Sequence, residues 1–116
     1  MADGQGVTVT GAGLVLPTGV GLPAADPVFA GRSAVRHLNG MVDLAGAIGA
    51  PVSGFVPPAG TEGHDRAVQM AAAAADEAWH GARLDAARLA SDRVAVLVSL
   101  SKGGVFALAR WAEEVS

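Results

Sequence analysis

The sequence predicts an α/β protein, and three observations favour this fold class. Hydrophobic residues make up 51% of the 116 residues, and the mean hydropathy is +0.39, which is ample apolar surface for a core. The apolar residues are mostly small, with 16 glycines and only 4% aromatic residues, a composition that suits close packing of helices on sheets. Strand-like and helix-like apolar patterns also alternate along the chain.

Charge and cysteine content exclude several classes of function. The formal net charge is -3, and the eight lysines and arginines are scattered without a basic run, so we expect no nucleic-acid partner. The sequence has no cysteine and therefore no disulfide, thiolate metal site or cysteine nucleophile. It also has no signal-peptide pattern and no apolar run long enough to cross a bilayer. We expect no membrane span and a cytoplasmic location.

The first third of the chain predicts a strand, a turn and a short helix. Residues 7–10 (VTVT) alternate β-branched side chains, and residues 14–16 continue the apolar character up to Pro17. Asp26 is expected to cap a brief helix with proline at its first position, and Gly31 is expected to end that helix. Glycine and proline punctuate residues 32–63, which predicts a loop with one short strand at residues 51–56.

The second half predicts a long helix, a core strand and a final helix. Apolar residues recur at helical spacing through residues 64–81, namely Val68, Ala71, Ala72, Ala75, Ala78 and Trp79. Residues 84–89 predict one or two further helical turns. Residues 94–98 (VAVLV) form a continuous apolar run, which is typical of a strand covered on both faces. Residues 105–115 again have helical spacing.

Two glycine motifs raise the question of a phosphate site. Gly11 and Gly13 follow the first predicted strand as in a dinucleotide-binding turn, but a third glycine and the acidic residue of a ribose contact are missing. Residues 101–104 (SKGG) could hold an anion at a helix start, or could form a plain turn. A small nucleotide-binding α/β domain therefore remains an alternative function, but one that these incomplete motifs support only weakly.

The remaining polar residues predict no metal centre, cofactor or catalytic residue. His37, His64 and His80 lack the spacing of a helical metal site and are interpreted as surface or capping residues. Asp76 and Glu77 are adjacent, so on a helix they point in different directions and do not form a facing carboxylate pair. We interpret both as part of a solvated helix face.

Five segments together resemble one family, the β-ketoacyl-acyl-carrier-protein synthases. The segments occur in the family's order and are residues 7–17 (VTVTGAGLVLP), 29–33 (FAGRS), 51–57 (PVSGFVP), 64–75 (HDRAVQMAAAAA) and 92–98 (DRVAVLV). The resemblance is to the N-terminal segment only. It implies that residues 1–116 form the first, incomplete part of a thiolase-like α-β-α-β-α fold.

The resemblance also implies a reaction that this segment would not perform alone. Such enzymes condense an acyl thioester with a malonyl unit on acyl carrier protein, with loss of carbon dioxide, in fatty acid or polyketide synthesis. The nucleophilic cysteine and both histidines of the family lie further downstream, and neither His37, His64 nor His80 matches them. We therefore expect an inactive fragment of a synthase or, alternatively, a non-catalytic partner subunit like a chain-length factor.

The expected partners follow from the same resemblance. They are acyl carrier protein and either the remainder of the synthase or a ketosynthase partner chain, in a dimer. Lys102 replaces a residue of the family's glycine-rich loop that is often apolar and lines the acyl pocket near the dimer interface. Lys102 is accordingly a candidate pocket or interface residue, where a buried ammonium would disfavour a long aliphatic substrate. Its side chain could equally extend outward to water. The residues do not define the acyl substrate.

Overall fold

The computed structural model describes residues 6–40, 43, 45–99 and 105–115, with only the backbone for residues 105–108. In these residues the chain is a mixed helix and strand protein. The helices are α1 (Asp26–Phe29), α2 (Arg66–Gly81) and α3 (Val105–Glu114). The strands are β1 (Val15–Leu16), β2 (Gly19–Val20), β3 (Arg36–His37) and β4 (Ile48–Gly49), which form two separate antiparallel pairs.

The β1–β2 hairpin begins later than the sequence predicts. Residues 7–10 form no strand and lie exposed, whereas Val15 pairs with Val20 and Leu16 pairs with Gly19 across a turn at Pro17. Only the second half of the predicted apolar stretch therefore finds a partner strand. The Thr18 hydroxyl donates a hydrogen bond to the Ala24 carbonyl, which ties the hairpin to the 3-10 turn Leu22–Ala25.

The predicted short helix is confirmed, and Gly31 ends it as expected. The 3-10 turn runs directly into α1, so Ala25 and not Asp26 is the residue before the helix. Gly31 has φ of 75°, and its N–H donates to the carbonyl of Val28 at 2.9 Å. The N–H of Arg32 donates to the carbonyl of Pro27 at 2.9 Å. These two bonds form a Schellman motif, which satisfies carbonyls at the helix end.

The loop at residues 32–63 contains a strand pair, but not where the sequence predicts a strand. Arg36 pairs with Gly49 and His37 pairs with Ile48, while residues 51–56 form no strand. Proline lacks a backbone N–H, so Pro51 at the start of that segment and Pro57 and Pro58 directly after it weaken any ladder there. The prediction of a strand at residues 51–56 is therefore wrong.

The long predicted helix is confirmed as α2. Asp65 caps its start, because the Asp65 carboxylate accepts a hydrogen bond from the N–H of Ala67 at 3.2 Å. Arg83 follows its end with φ of 55°, a left-handed conformation that glycine usually occupies. The N–H groups of Arg83 and Leu84 donate to the carbonyls of His80 and Trp79, which completes a second Schellman motif.

The expected core strand at residues 94–98 is not formed. After the 3-10 turns Ala86–Arg88 and Ser91–Arg93, residues 94–99 lie exposed and belong to no sheet. A strand needs neighbours that accept and donate its backbone hydrogen bonds, and the described residues offer none at this place. The predicted final helix is confirmed as α3.

Very little of the described chain is buried. The buried hydrophobic residues are Ala24 and Phe55, with 6% and 7% of their surface accessible. The accessible surface is 9508 Å², against about 5,800 Å² for a compact protein of this mass. The radius of gyration is 18.2 Å, against about 13 Å for a compact domain of this length. The described residues therefore form secondary structure without enclosing a core.

Candidate functional site

Among the glycines of the described residues, those in the segment that precedes β1 lie closest to another element, the helix α2. Gly11 and Gly13 lie directly on the backbone of α2, and a Cβ atom at either position would collide with a helix carbonyl oxygen. The carbonyl facing Gly11 belongs to Ala78, and the one facing Gly13 belongs to Ala74. The two glycines and the two alanines thus allow backbone to pack on backbone. This contact gives the Gly11 and Gly13 motif a role that requires no phosphate.

Glu77 fastens the same segment to α2. Its carboxylate accepts a hydrogen bond from the N–H of Leu14 at 2.9 Å and another from the N–H of Leu22 at 2.7 Å. These donors flank the β1–β2 hairpin, so one side chain holds both of its ends. The interpretation of Glu77 as a solvated residue is therefore wrong. The sequence signal for this role is that Glu77 directly precedes Ala78, the small residue of α2 on whose backbone Gly11 packs.

The segment before α2 is anchored at the start of the helix. The Arg66 guanidinium lies 5.2 Å from the centre of the Phe55 ring and donates to the carbonyl of Val52 at 3.0 Å. Gln69 donates to the carbonyl of Thr61 at 3.0 Å. A cation over an aromatic face is attracted by the ring quadrupole. Residues 52–61 are therefore held to the first turns of α2 mainly by polar contacts around one buried ring.

Another side of α2 carries a partly exposed apolar stripe. Val68, Ala72, Ala75 and Trp79 follow one another at spacings of four, three and four residues, and each is half-buried or exposed. Ala72, Ala75, Asp76 and Trp79 line an open depression of about 360 Å³. Asp76 lies at its edge and pairs with His80, with 3.3 Å between the carboxylate and Nδ1. This stripe is part of the predicted apolar face of the helix.

The candidate residues of the sequence are not brought together. Lys102 and the rest of residues 101–104 lie outside the described residues. His37 is exposed on β3, His64 is exposed before α2, and His80 is exposed near the end of α2. Within the described part of the chain, no group of three or more histidine, aspartate or glutamate residues could hold a metal ion. None of its helices is long and apolar enough to span a membrane.

Comparison with family models, with curated proteins and with solved structures finds no match to this chain. The resemblance to the β-ketoacyl synthases therefore depends on the five sequence segments. Two of these segments, residues 7–17 and 64–75, contain residues that meet at the contact of Gly13 with Ala74. The geometry of the described residues is that of a structural junction with an adjoining apolar surface.

Proposed function

We propose that this chain is a non-catalytic scaffold segment of a β-ketoacyl-synthase-type condensing enzyme. It would supply the first strand region and the alanine-rich helix of the thiolase-like fold. The observation that carries the proposal is the contact between two segments that resemble the family separately. Gly13 of the first segment lies on the backbone of Ala74 in the second, and Glu77 bonds the N–H of Leu14.

The residues of the chain indicate which part it could take in the condensation reaction. Condensation requires a thiol that accepts an acyl group from a carrier protein. It also requires donors that stabilise negative charge on the thioester oxygen after a malonyl unit loses carbon dioxide. This sequence has no cysteine. The acyl-accepting thiol must therefore belong to another polypeptide segment, and this chain would contribute support and not chemistry.

A second candidate function is a subunit that pairs with a complete ketosynthase, as chain-length factors do. The partly exposed stripe on α2 and the low burial of the described residues favour this candidate, because both provide surface for a large partner. The two candidates differ in the partner. A fragment completes a polypeptide that lacks its own first segment, whereas a subunit binds a polypeptide that already has one.

Reconstitution tests the proposal. The chain would be co-expressed with a cysteine-containing condensing polypeptide from the same source, and release of carbon dioxide from malonyl carrier protein would be measured. We expect the release of carbon dioxide to depend on both chains. The rate of release should fall strongly when the Gly13→Leu variant is used in place of the wild-type chain. Gly6→Leu is the matched control, because nothing lies within 4 Å of a Cβ at Gly6. Equal activity of the partner with and without this chain would overturn the proposal.

A further inference from the structure

The only asparagine of the sequence is followed by a glycine, and both residues lie exposed in a turn. These residues are Asn39 and Gly40, just beyond β3. The last backbone hydrogen bond before them joins the N–H of Leu38 to the carbonyl of Ala47 at 2.9 Å. Within the described residues, neither Asn39 nor Gly40 forms a hydrogen bond. The turn therefore leaves the reactive groups of both residues free.

We propose that Asn39 is a site of spontaneous deamidation, at which the side-chain amide is converted to a carboxylate without an enzyme. The backbone nitrogen of Gly40 loses its proton and attacks the side-chain carbonyl carbon of Asn39. A C–N bond forms, the bond to the amide nitrogen breaks, and ammonia leaves with that proton, which gives a five-membered succinimide. Water then opens the ring at either carbonyl group, and the product is aspartate or isoaspartate.

Three features of the turn allow the ring to close. The N–H of Gly40 has no acceptor among the described residues, so its nitrogen is not held in a hydrogen bond. A Cβ atom placed at Gly40 would meet nothing within 4 Å, so no neighbouring element of the described structure crowds the site. Glycine also has no side chain of its own beside the attacking nitrogen. Asn39 is exposed, so water reaches the succinimide.

The other side-chain amides of the chain do not combine these features. They belong to Gln5 and Gln69. Gln69 lies within α2, where the following backbone nitrogen takes part in the helix, and its own amide donates to the carbonyl of Thr61. A glutamine must also close a six-membered ring, which forms more slowly than a five-membered one. We therefore expect deamidation at Asn39 first.

The modification changes both the charge and the main chain next to β3. A carboxylate is ionised at neutral pH, so the product adds one negative charge to a chain with a formal net charge of -3. In the isoaspartate product the main chain also runs through the side chain of residue 39 and gains a carbon atom. Both changes follow the Leu38–Ala47 bond, so we expect β3 and β4 to stay paired. This inference does not depend on the proposed function.

Peptide mapping of the aged chain tests the proposal. The full chain is incubated at neutral pH beside a synthetic peptide of residues 37–43, and the tryptic peptide 37–66, which contains Asn39 and no glutamine, is followed by mass spectrometry. We expect its mass to rise as oxygen replaces an NH group, with two products that separate by chromatography. The rate should increase with pH, because the attacking nitrogen must lose its proton.

The synthetic peptide sets the rate expected of an unrestrained turn. We expect the folded chain to react within about threefold of the peptide, because a loop without hydrogen bonds needs no opening step. A rate in the chain more than about tenfold below that of the peptide would show that the turn is held, and would overturn the proposal.

Two glycine variants separate the chemistry from the conformation of the loop. Gly40→Ala should slow the reaction at least about tenfold, because a methyl group then lies beside the attacking nitrogen. Gly46→Ala is the matched control, since Gly46 has φ of 74° against 72° for Gly40 and equally open surroundings in the same loop, but does not follow an amide residue. Its rate should equal that of the wild-type chain. Equal slowing in both variants would overturn the assignment to Gly40.

Discussion

At the scale of single residues, the absence of a side chain at Gly13 determines how closely the first segment approaches α2. The glycine lies on the backbone of Ala74, where a Cβ atom would collide with the carbonyl oxygen. A helix backbone cannot move aside as the end of a flexible side chain can. The requirement for glycine at this position therefore comes from packing and not from a left-handed conformation.

Gly13→Ala should separate the first segment from α2. We expect a loss of about 1 to 3 kcal/mol in the free energy of unfolding, the usual cost of overpacking. Urea unfolding followed by circular dichroism measures this loss. Gly6→Ala is the control and should change the free energy little, because the space beside Gly6 is open. Equal effects of the two substitutions would contradict the packing described for Gly13.

Glu77 is the second residue on which this junction depends. Glu77→Gln keeps one acceptor oxygen but places an amide NH₂ against a backbone N–H, so one of the two bonds to Leu14 and Leu22 is lost. We expect destabilisation of about 1 kcal/mol, measured by the same unfolding experiment. Asp76→Asn on the exposed side of the helix should have a smaller effect. The reverse order would show that Glu77 does not hold the hairpin.

At the scale of elements, residues at its two ends determine where α2 begins and ends. Asp65 accepts the N–H of Ala67 at the start, and Arg83 adopts the left-handed conformation after the end. Arginine is an unfavourable residue for that conformation, since its Cβ approaches the neighbouring backbone. The C-terminal end of α2 is thus less stable than its hydrogen bonds would allow.

Arg83→Gly should stabilise the chain. Glycine adopts a positive φ without the Cβ penalty, so we expect a gain of about 1 kcal/mol in the free energy of unfolding. Thermal unfolding followed at the helix signal measures it. Arg83→Ala is the matched control, because it removes the charge but retains the Cβ atom. A similar gain in both variants would attribute the effect to charge and not to backbone conformation.

The elements also show what the sequence could predict. The end of α1 shortly before Gly31 and the end of α2 at Gly81 follow from local signals, namely a glycine after the helix and helical spacing, which act over a few neighbouring residues. The strands depend on distant partners. Residues 7–10 and 94–98 have strong strand composition but no neighbouring strand, whereas the weakly patterned Arg36–His37 pairs with Ile48–Gly49. The role of Glu77 was missed because its donors lie 63 and 55 residues away along the chain.

At the scale of the whole molecule, the described residues form secondary structure but almost no core. Ala24 and Phe55 are the buried hydrophobic residues of the described part, while residues 94–98 are exposed and the α2 stripe is exposed or half-buried. Hydrophobic burial is the main favourable term in folding, so a chain with this surface gains little stability alone. A second polypeptide that covers these surfaces would supply the missing burial.

This low burial predicts a shallow urea transition. The chain buries about two-thirds of the surface that a compact protein of its mass buries on folding, and the denaturant slope scales with that surface. We therefore expect a slope about one-third smaller than that of a compact domain of equal length. Urea titration of the dilute chain measures the slope. A slope equal to that of a compact domain would contradict the open arrangement.

One measurement tests most directly whether this chain is a scaffold segment of a condensing enzyme. The chain is isolated from its native source under non-denaturing conditions, and the preparation is then alkylated with iodoacetamide. This chain has no cysteine and will not be labelled. We predict that the label appears on a copurifying polypeptide, or on a longer chain that contains this sequence. We also predict that the labelled preparation no longer condenses acyl and malonyl thioesters. A preparation that carries out the condensation unchanged after complete alkylation, or one that contains this chain alone and releases no carbon dioxide from malonyl carrier protein, would contradict the proposed function.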